Sequence, residues 1–401
     1  MSETQRDTNP AVKSLGTGTD EYERRFAEQV GARYAFAFWK GRVALYAVLK
    51  ALRVGPGDEI ILPGYTCVMD VNPIMYLGAR PVYVDIEPVT YNLDPALLEA
   101  RITPATRLII AQHTYGYPAD MDAILAISRR HNVPVIEDCC LAFGSTINGR
   151  RVGTFGLAAY YSFQWNKPYT TGLGGMLTTS DPELAERIRA LCEEELVTPG
   201  AKETAMLAAQ LVVYRTLIYP RTTALATQAF RLLTRAGLVV GSSSTAEFRP
   251  EMAPDFFKGM STVQARAGLR QLRRTELMMA HRRRIARLYD QLLAEKGWPV
   301  PAVPPNLDPV LVRYPVRVAE KAKALAEAAG HFIELGSWFE CPLHPIETPL
   351  EAYGYASGSC PVAEQAAREV VNLPTHMRVS EKTARRTVEY LARFAPPPAR
   401  A

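Results

Sequence analysis

Residues 133–167 read VPVIEDCCLAFGSTINGRRVGTFGLAAYYSFQWNK and contain two short apolar runs, each followed by a side chain that can take part in chemistry. The first run closes on Glu137 and Asp138, and the second, at residues 158–163, is soon followed by Lys167. Short apolar runs of this kind are typical of strands that are covered on both faces of a parallel sheet. We therefore expect a carboxylate and an amine at the carboxyl ends of two strands, the edge where open α/β sheets bind ligands.

The alternation of strand and helix patterns continues on both sides of this stretch. Together with the strand at 133–137, strands are predicted at residues 60–62, 82–85, 108–112 and 175–179, and helices at 21–30, 44–52 and 121–131. Alternating strands and helices indicate an α/β fold with a largely parallel sheet. Toward the C-terminus the pattern changes, with strands predicted at 310–318 and 332–338 and helices at 263–296, 319–329, 362–370 and 380–394.

The predicted domain organisation has three parts. Residues 1–18 are polar and without periodicity, which predicts a flexible N-terminal arm. Residues 19–255 form the large domain in this prediction, and residues 256–401 form a smaller C-terminal α+β domain.

Composition excludes several classes of protein. Apolar residues make up 48% of the 401 residues, charged residues 22%, and the net charge is +5, which is globular composition and argues against disorder. The basic residues form no stripe interleaved with aromatic residues, so no nucleic-acid binding is expected. The six cysteines have neither disulfide-framework nor metal-site spacing, and neither a signal peptide nor an 18-residue apolar stretch is present. We therefore expect a cytoplasmic protein that binds no metal.

Three features match the needs of one cofactor. Asp138 ends a strand, Lys167 follows another, and Gly41 leads into a helix, whose N-terminal N–H groups suit a phosphate. Pyridoxal phosphate needs a carboxylate for its ring nitrogen, a lysine for its aldehyde and an anchor for its phosphate. Each residue also has an ordinary interpretation: Asp138 as a strand-end cap or an arginine partner, Lys167 as a solvated loop residue, and Gly41 as a tight turn.

Several motifs occur in the order that one known family shows. They are GPGDE at 55–59, VD at 84–85 with YNLD at 91–94, HTYGYPADMD at 113–122, IED at 136–138, GTFG at 153–156, GLGG at 172–175, CPVAE at 360–364 and NLPTH at 372–376. On these motifs the chain, from about residue 21 to residue 394, resembles the DegT/DnrJ/StrS-type sugar aminotransferases. The resemblance implies fold type I of the pyridoxal phosphate enzymes: a large α/β domain with a mostly parallel central sheet and a smaller C-terminal α+β domain.

The resemblance also implies roles for individual residues. Lys167 takes the position of the lysine that binds the cofactor covalently, and Asp138 takes that of the partner of the ring nitrogen. Ser162 is similar to the side-chain phosphate ligand. Gly41 and Arg42 occupy the positions whose backbone amides hold the phosphate.

Four positions depart from the family's pattern. They are Arg42 in place of a small Ser or Thr, Cys67 in place of the aromatic residue that stacks on the pyridine ring, Leu141 in place of Gln, and Lys258 within FKGM in place of the usual Asn-Tyr-Arg-Met. Tyr65 and Trp165 are the alternatives for the missing ring. Lys258 is expected to take over the contact with the cofactor phosphate of the partner subunit. Because the changes remove polar groups but keep Asp138 and Lys167, we interpret them as an altered substrate.

The resemblance implies a homodimer with shared active sites that acts as an aminotransferase. An amino acid, expected to be glutamate, would give its amino group to a keto sugar carried by a nucleotide or a lipid. Two other functions stay open. One is a pyridoxal phosphate-dependent sugar dehydratase, against which the retention of Lys167 argues because such relatives tend to carry histidine there. The other is a non-catalytic regulator or scaffold, which Cys67, Leu141 and Phe257 favour.

Residues 204–246 contain no acidic residue but four arginines, Arg215, Arg221, Arg231 and Arg235. The segment is expected to enlarge a connection that is short in the family. One interpretation is a buried helical hairpin at the dimer interface. The other is a basic, apolar surface in peripheral contact with the inner membrane surface, which would present a lipid-linked substrate.

Overall fold

The computed structural model describes residues 18–165, 167–214, 250–345 and 349–396. Its helices are α1 Asp20–Val30, α2 Gly41–Ala51, α3 Val68–Tyr76, α4 Pro95–Leu98, α5 Met121–His131, α6 Pro182–Glu195, α7 Ala201–Val213, α8 Thr262–Leu272, α9 Thr275–Glu295, α10 Lys321–Ala328, α11 Pro361–Glu369 and α12 Glu381–Leu391. Its strands are β1 Tyr34–Phe38, β2 Glu59–Pro63, β3 Thr66–Cys67, β4 Arg80–Val84, β5 Thr106–Gln112, β6 Val135–Asp138, β7 Thr146–Ile147, β8 Arg150–Arg151, β9 Ala158–Ser162, β10 Gly175–Thr179, β11 Leu307–Asp308, β12 Arg313–Arg317, β13 Leu343–His344 and β14 Val370–Pro374.

A seven-stranded sheet in the described part of the chain carries the site. Its strand order is β1-β10-β9-β6-β5-β2-β4. The neighbours from β9 to β4 are parallel, and β10 runs antiparallel to both β9 and β1. This mixed but mostly parallel sheet is the predicted α/β architecture.

Burial on both faces explains why the strands read as continuous apolar runs. Along β2, Ile60 and Leu62 belong to one core cluster, whereas Ile61 belongs to a second cluster. Successive side chains of a strand point to opposite faces, so each face of the sheet has its own core. Helix α2 packs against β9 and β10, and α1 packs against β1.

The C-terminal strands β12 and β14 pair antiparallel, and α10, α11 and α12 flank them in sequence. The strand predicted at 332–338 is wrong. In this stretch the described backbone makes only an isolated bridge from Gly336 to Asn372. Phe332 begins it with a positive φ of 54° and 85% of its surface exposed, so a regular strand cannot start there.

The single helix predicted at 263–296 is also wrong, because the chain forms α8 and α9 with a break between them. Arg274 leaves the helical region, with φ −117° and ψ 2°, and its N–H donates to the carbonyl of Gln271 in a tight turn. Helix α8 packs against α1, whereas α9 packs against α12. The proposed domain boundary at 255/256 stays a prediction.

Two predicted segments lie largely outside the described residues. These are the N-terminal arm, of which only Gly18 is described, and residues 215–246 of the basic segment. The described start of that segment belongs to α7, where Leu207 and Leu211 are buried and Val212 and Val213 are exposed. Among the described helices, none combines the length and the apolarity that a membrane span needs.

Candidate active site

The N-terminus of α2 meets the carboxyl end of β9. A Cβ atom added to Gly41 would lie 2.8 Å from Cβ of Ser162 and 3.1 Å from the carbonyl oxygen of Tyr161, so this contact requires glycine. The first N–H groups of a helix have no intrahelical partner and attract anions. Gly41 and Arg42 begin the helix, and Cβ of Ser162 lies against its first residue. We call Gly41, Arg42 and Ser162 the cradle, and its use for a phosphate stays a prediction.

Asp138 is the last residue of β6 and is 3% exposed. Its Oδ1 accepts a hydrogen bond of 2.8 Å from the N–H of Cys140, which fixes the carboxylate at the strand end. Its neighbour in the sheet register is Tyr160 of β9, two residues before Ser162. The predicted ring-nitrogen partner and phosphate ligand therefore sit on adjacent parallel strands.

Lys167 lies on the loop that follows β9. Its N–H donates to the carbonyl of Gln164 at 3.0 Å, and its Nζ lies 5.0 Å from the ring centroid of Trp338. A cation over an indole face is attracted by the ring, so Trp338 orients the lysine. The other cation at this ring is Arg313, also 5.0 Å from the centroid.

Asp70, the third residue of α3, shares the pocket with Asp138 and Lys167. It interacts electrostatically with both of them, and its side chain is partly buried. Burial and then the charge of Asp138 raise the pKa of Asp70 to about 7. Its oxygens contact Thr66 and Tyr160, each at 3.1 Å.

Cys67 lies between the charged groups of this pocket. Burial and then Asp70 raise the pKa of its thiol to about 11, against the smaller opposing effects of Lys167 and Arg42. The thiol is therefore protonated and unreactive at neutral pH. Lys167 and Arg42 thus both lie near enough to act on Cys67, and the cofactor contacts expected of Cys67 and Arg42 stay predictions.

Leu141 and Lys258 occupy different surroundings. Leu141 is 4% exposed and belongs to an apolar core cluster. Lys258 is 6% exposed, and its Nζ lies 2.8 Å from Oε1 of Glu203 and 2.6 Å from Oδ2 of Asp255 in its own chain. The expected contact of Lys258 with a partner subunit stays a prediction.

The two rings considered for stacking lie in packed clusters. The hydroxyl of Tyr65 is 2.9 Å from that of Tyr115, and its ring meets that of Phe339 edge-on at 4.9 Å. Trp165 packs on Tyr214, with centroids 4.8 Å apart. The choice between the two rings stays a prediction.

Sequence reasoning missed Asp70, Trp338 and His344. Strand β13 pairs with β3 so that His344 stands opposite Cys67. Burial, assisted by Lys167 among other cations, lowers the pKa of His344 to about 4, so the ring is neutral at pH 7. Trp338 and His344 come from the C-terminal part of the chain, and no local pattern connects them with the sheet. A carboxylate in the apolar surroundings of α3 was the one signal available for Asp70.

These residues fit pyridoxal phosphate. The cradle at Gly41 and Ser162 has the donors that a phosphate needs, and a Cβ at Gly41 would fill it. Asp138 is held as an acceptor at the strand end, and Lys167 supplies a primary amine. Donor, acceptor and amine are thus present in one pocket.

Comparison with known proteins gives a family and relatives. The chain matches the model of the DegT/DnrJ/EryC1/StrS aminotransferase family over residues 4–211 and 221–392. It is 34% identical over 383 residues to GDP-perosamine synthase of Caulobacter vibrioides, with 95% of this chain and 91% of that protein covered. It is 35% identical over 365 residues to UDP-2-acetamido-2-deoxy-3-oxo-D-glucuronate aminotransferase of Pseudomonas aeruginosa, with 90% and 86% covered.

A solved structure shows the same fold. The crystal structure of S. venezuelae DesV in complex with a ketimine intermediate matches with a TM-score of 0.72 and 28% identity. The match covers 94% of this chain and 89% of that chain. The similarity therefore extends over both the sheet and the C-terminal elements.

Proposed function

We propose, since the chain belongs to the DegT/DnrJ/EryC1/StrS aminotransferase family, that it transfers the amino group of an amino acid to a keto sugar linked to a nucleotide. The chain is a pyridoxal phosphate-dependent aminotransferase of fold type I, as the sequence predicts. The observation that carries the substrate proposal is the likeness, over nine tenths of the chain, to relatives named for GDP- and UDP-linked sugars. Glutamate is the amino donor that we expect.

The proposed roles follow from the positions of the side chains. Pyridoxal phosphate, when bound, supplies an electron sink that stabilises negative charge on the carbon next to the amino group. The cradle of Gly41, Arg42 and Ser162 would hold its phosphate, and Asp138 would accept a hydrogen bond from its ring nitrogen. The carboxylate of Asp138 would favour the protonated ring because it places a negative charge beside it.

Lys167 would bind the aldehyde carbon through its Nζ and, once released from it, move a proton as general base and acid. Trp338 covers the lysine from one side, which limits the positions that its flexible stem can take.

Assembly and location are further parts of the proposal. We propose a homodimer with shared active sites, in the cytoplasm, in which Lys258 would leave Glu203 and Asp255 to contact the partner's cofactor phosphate. The exposed Val212 and Val213 at the end of α7 support a contact surface in that region. A dimer interface is the proposed use of it, and a peripheral membrane contact is the alternative. Sedimentation with anionic vesicles at low salt, beside the mass of the free protein in solution, distinguishes the two.

The donor half-reaction tests the chemistry. The purified protein with pyridoxal phosphate is mixed with glutamate, and 2-oxoglutarate is measured by mass spectrometry together with the visible absorbance of the bound cofactor. Lys167→Ala is expected to reduce 2-oxoglutarate formation by about 10³-fold or more, because it removes both the bonding amine and the proton carrier. Lys50→Ala is the control, since Lys50 pairs with Glu195 and is not part of the site.

The second half-reaction tests which keto sugar accepts the amino group. Enzyme in the amine form is offered GDP- and UDP-linked keto sugars, and the amino sugar is identified by mass. Formation of 2-oxoglutarate without an amino sugar from either class would leave the aminotransferase in place and overturn the substrate proposal. Sugar dehydration without 2-oxoglutarate would favour the dehydratase, and a protein that binds no cofactor would favour the scaffold.

A further inference from the structure

Asp70 is a partly buried carboxyl group that has no part in the reaction proposed above. Its Oδ1 lies 3.1 Å from the hydroxyl oxygen of Tyr160, and its Oδ2 lies 3.1 Å from Oγ1 of Thr66. The hydroxyl of Tyr160 can donate to Oδ1. Whether the contact with Thr66 is favourable depends on which of the two oxygens carries a hydrogen.

The orientation of the Gln112 side chain decides the direction of the neighbouring hydrogen bonds. One terminal atom of its amide lies 3.0 Å from the backbone carbonyl oxygen of Tyr65 and 2.8 Å from Oγ1 of Thr114. A carbonyl oxygen only accepts, so this atom is the NH₂ group. The other terminal atom is Oε1, which lies 2.6 Å from Oγ1 of Thr66 and accepts a hydrogen bond from it.

The hydroxyl of Thr66 has one hydrogen, and Gln112 receives it. Oγ1 of Thr66 therefore faces Asp70 with a lone pair. An ionised Asp70 would place two lone pairs against each other at 3.1 Å, whereas the O–H of a neutral Asp70 would donate to Thr66. With Tyr160 donating to the other oxygen, the neutral acid has a partner on each side.

We propose that Asp70 is a positioning residue that carries a proton at neutral pH and below, so that it places no negative charge beside Lys167. The protonation state follows from the hydrogen-bond pattern, and its effect on catalysis rests on the proposed function. When Asp70 ionises, a second negative charge stabilises the ammonium form of Lys167. That form has no lone pair with which to bind an aldehyde carbon or accept a proton.

The surrounding groups support this assignment. The titratable groups that face Asp70 are Cys67 of β3, Asp138 at the end of β6, Cys140 after it, Tyr160 of β9 and Lys167 on the following loop. Burial and then Asp138 raise the pKa of Asp70, whereas Lys167 lowers it. Burial also raises the pKa of Cys67, Cys140 and Tyr160, so these three groups stay neutral where Asp70 titrates.

Infrared spectroscopy of the cofactor-free protein tests the proton directly. A protonated carboxyl group has a C=O stretching band that disappears on ionisation. The band assigned to Asp70 is expected at pH 6, is expected to vanish by pH 9, and is expected to be absent from Asp70→Asn. If the wild type and Asp70→Asn have the same carboxyl bands at pH 6, the proposal is overturned.

Glu23 provides the matched control. It is a buried carboxyl group in α1, where burial raises its pKa to about 7 and its Oε1 accepts a hydrogen bond of 2.8 Å from the N–H of Ala37. Glu23→Gln is expected to remove its own band and leave that of Asp70. If Asp70→Asn fails to fold, Glu23→Gln still tests the proposal. A carboxyl band that titrates near pH 7 in Glu23→Gln would support a protonated Asp70, and the absence of such a band would overturn it.

The stability of the cofactor-free protein gives a second test. An Asp with a folded-state pKa near 7 binds a proton in the folded state but not in the unfolded state between about pH 4 and pH 7. The contribution of Asp70 to the free energy of unfolding is therefore largest at acid pH, and it is lost as the pH rises from about 4 through 7. Asp70→Asn replaces the neutral acid with an amide of the same shape, so its melting temperature is expected to lack this decline. Parallel pH dependence in the two proteins would contradict the proposal.

The pH dependence of turnover tests the role in catalysis. Wild-type turnover is expected to fall above pH 7 relative to Asp70→Asn, which cannot ionise. A structural role alone would change turnover by the same factor at every pH. A protein that shows the carboxyl band but no 2-oxoglutarate formation would overturn the proposed function and leave the protonated Asp70 in place, whereas the reverse result would overturn the protonated Asp70 alone.

Discussion

Glu137 and Asp138 are neighbours in strand β6, and their carboxylates lie on opposite faces of the sheet with different hydrogen-bond partners. Glu137 is fully buried and accepts hydrogen bonds from the N–H groups of Gly153, Phe155 and Gly156 at 2.6–2.7 Å. Its fourth contact is Nε2 of His113 at 3.1 Å. Asp138, the next residue, faces the pocket of Lys167 and is held by the N–H of Cys140. Glu137 and Asp138 are both buried, so what separates them is the number of their acceptor sites that the fold uses.

The Glu137 face also contains the residue types of a metal site. Ligand atoms of His113, Glu137 and Cys139 lie within 4.8 Å of one another. However, Nδ1 of His113 accepts a hydrogen bond from the N–H of Ala119 at 2.9 Å, which leaves the hydrogen on Nε2 to be donated to Glu137. Both ring nitrogens of His113 therefore have partners within the fold. We interpret His113, Glu137 and Cys139 as a structural cluster, in which Glu137 connects β6 with the turn at residues 153–156.

Exchanging each carboxylate for its amide gives the largest expected contrast. Asp138→Asn is expected to lower turnover by about 10² to 10³-fold, because it removes the charge that a protonated ring nitrogen would face. Glu137→Gln is expected to lower the free energy of unfolding by about 3 kcal/mol, because its NH₂ group would meet backbone N–H donors. Steady-state kinetics and urea denaturation of the cofactor-free protein measure the two effects. Equal loss of stability in both variants would contradict the distinction between the faces.

The cradle at Gly41 provides a test of the proposed phosphate site. Gly41→Ala places a methyl group 2.8 Å from Cβ of Ser162, so α2 must move away from β9. Overpacking of this kind costs about 2 kcal/mol, and we expect a rise of about 30-fold in the dissociation constant of pyridoxal phosphate. Fluorescence titration measures it. Gly330→Ala is the control, because a Cβ there meets nothing within 4 Å. Equal affinity of the two variants would argue against a phosphate at α2.

Six of the seven strands of the central sheet were predicted, because they read as apolar runs covered on both faces, whereas the edge strand β1 was missed. Residues 175–179 were predicted without error, and the strand before Ser162 within one residue. Asp138 and Ser162 end two of these strands and Lys167 lies on the loop after the second, so strand ends and family motifs were enough to identify them as candidates. The break between α8 and α9 was not predicted, because apolar residues recur at helical spacing through both helices without an interruption at the break.

The residues that sequence reasoning missed reach the pocket through tertiary contacts. Trp338 lies on a loop that Lys321 holds, since its Nζ donates to the carbonyls of Ser337 and Phe339 at 3.3 and 3.0 Å. His344 arrives through the pairing of β13 with β3. Neither position has a periodic pattern, and pairing between distant segments cannot be read from local spacing.

Two histidines repeat the contrast between the faces and give the smallest expected effect. His113 has partners for both ring nitrogens, whereas Nδ1 of His344 is buried with no hydrogen-bond partner among the described residues and lies 3.9 Å from Glu340. Burial, with Lys167 and Lys321 adding to it, lowers the pKa of His344 to about 4, although Glu340 opposes the shift.

The direction of the pH effect follows from proton counts in the two states. Between about pH 6.5 and pH 4 the unfolded chain binds a proton at His344 that the folded protein does not, so stability falls as the pH falls through this window. His344→Gln is expected to remove up to about 2 kcal/mol of this decline, allowing for partial exposure of the ring. Calorimetry of the cofactor-free protein from pH 7 to pH 4 measures it, with the exposed His331→Gln as control. If the stability of the wild type falls no more steeply with pH than that of His344→Gln, His344 does not contribute to the decline and the prediction is contradicted.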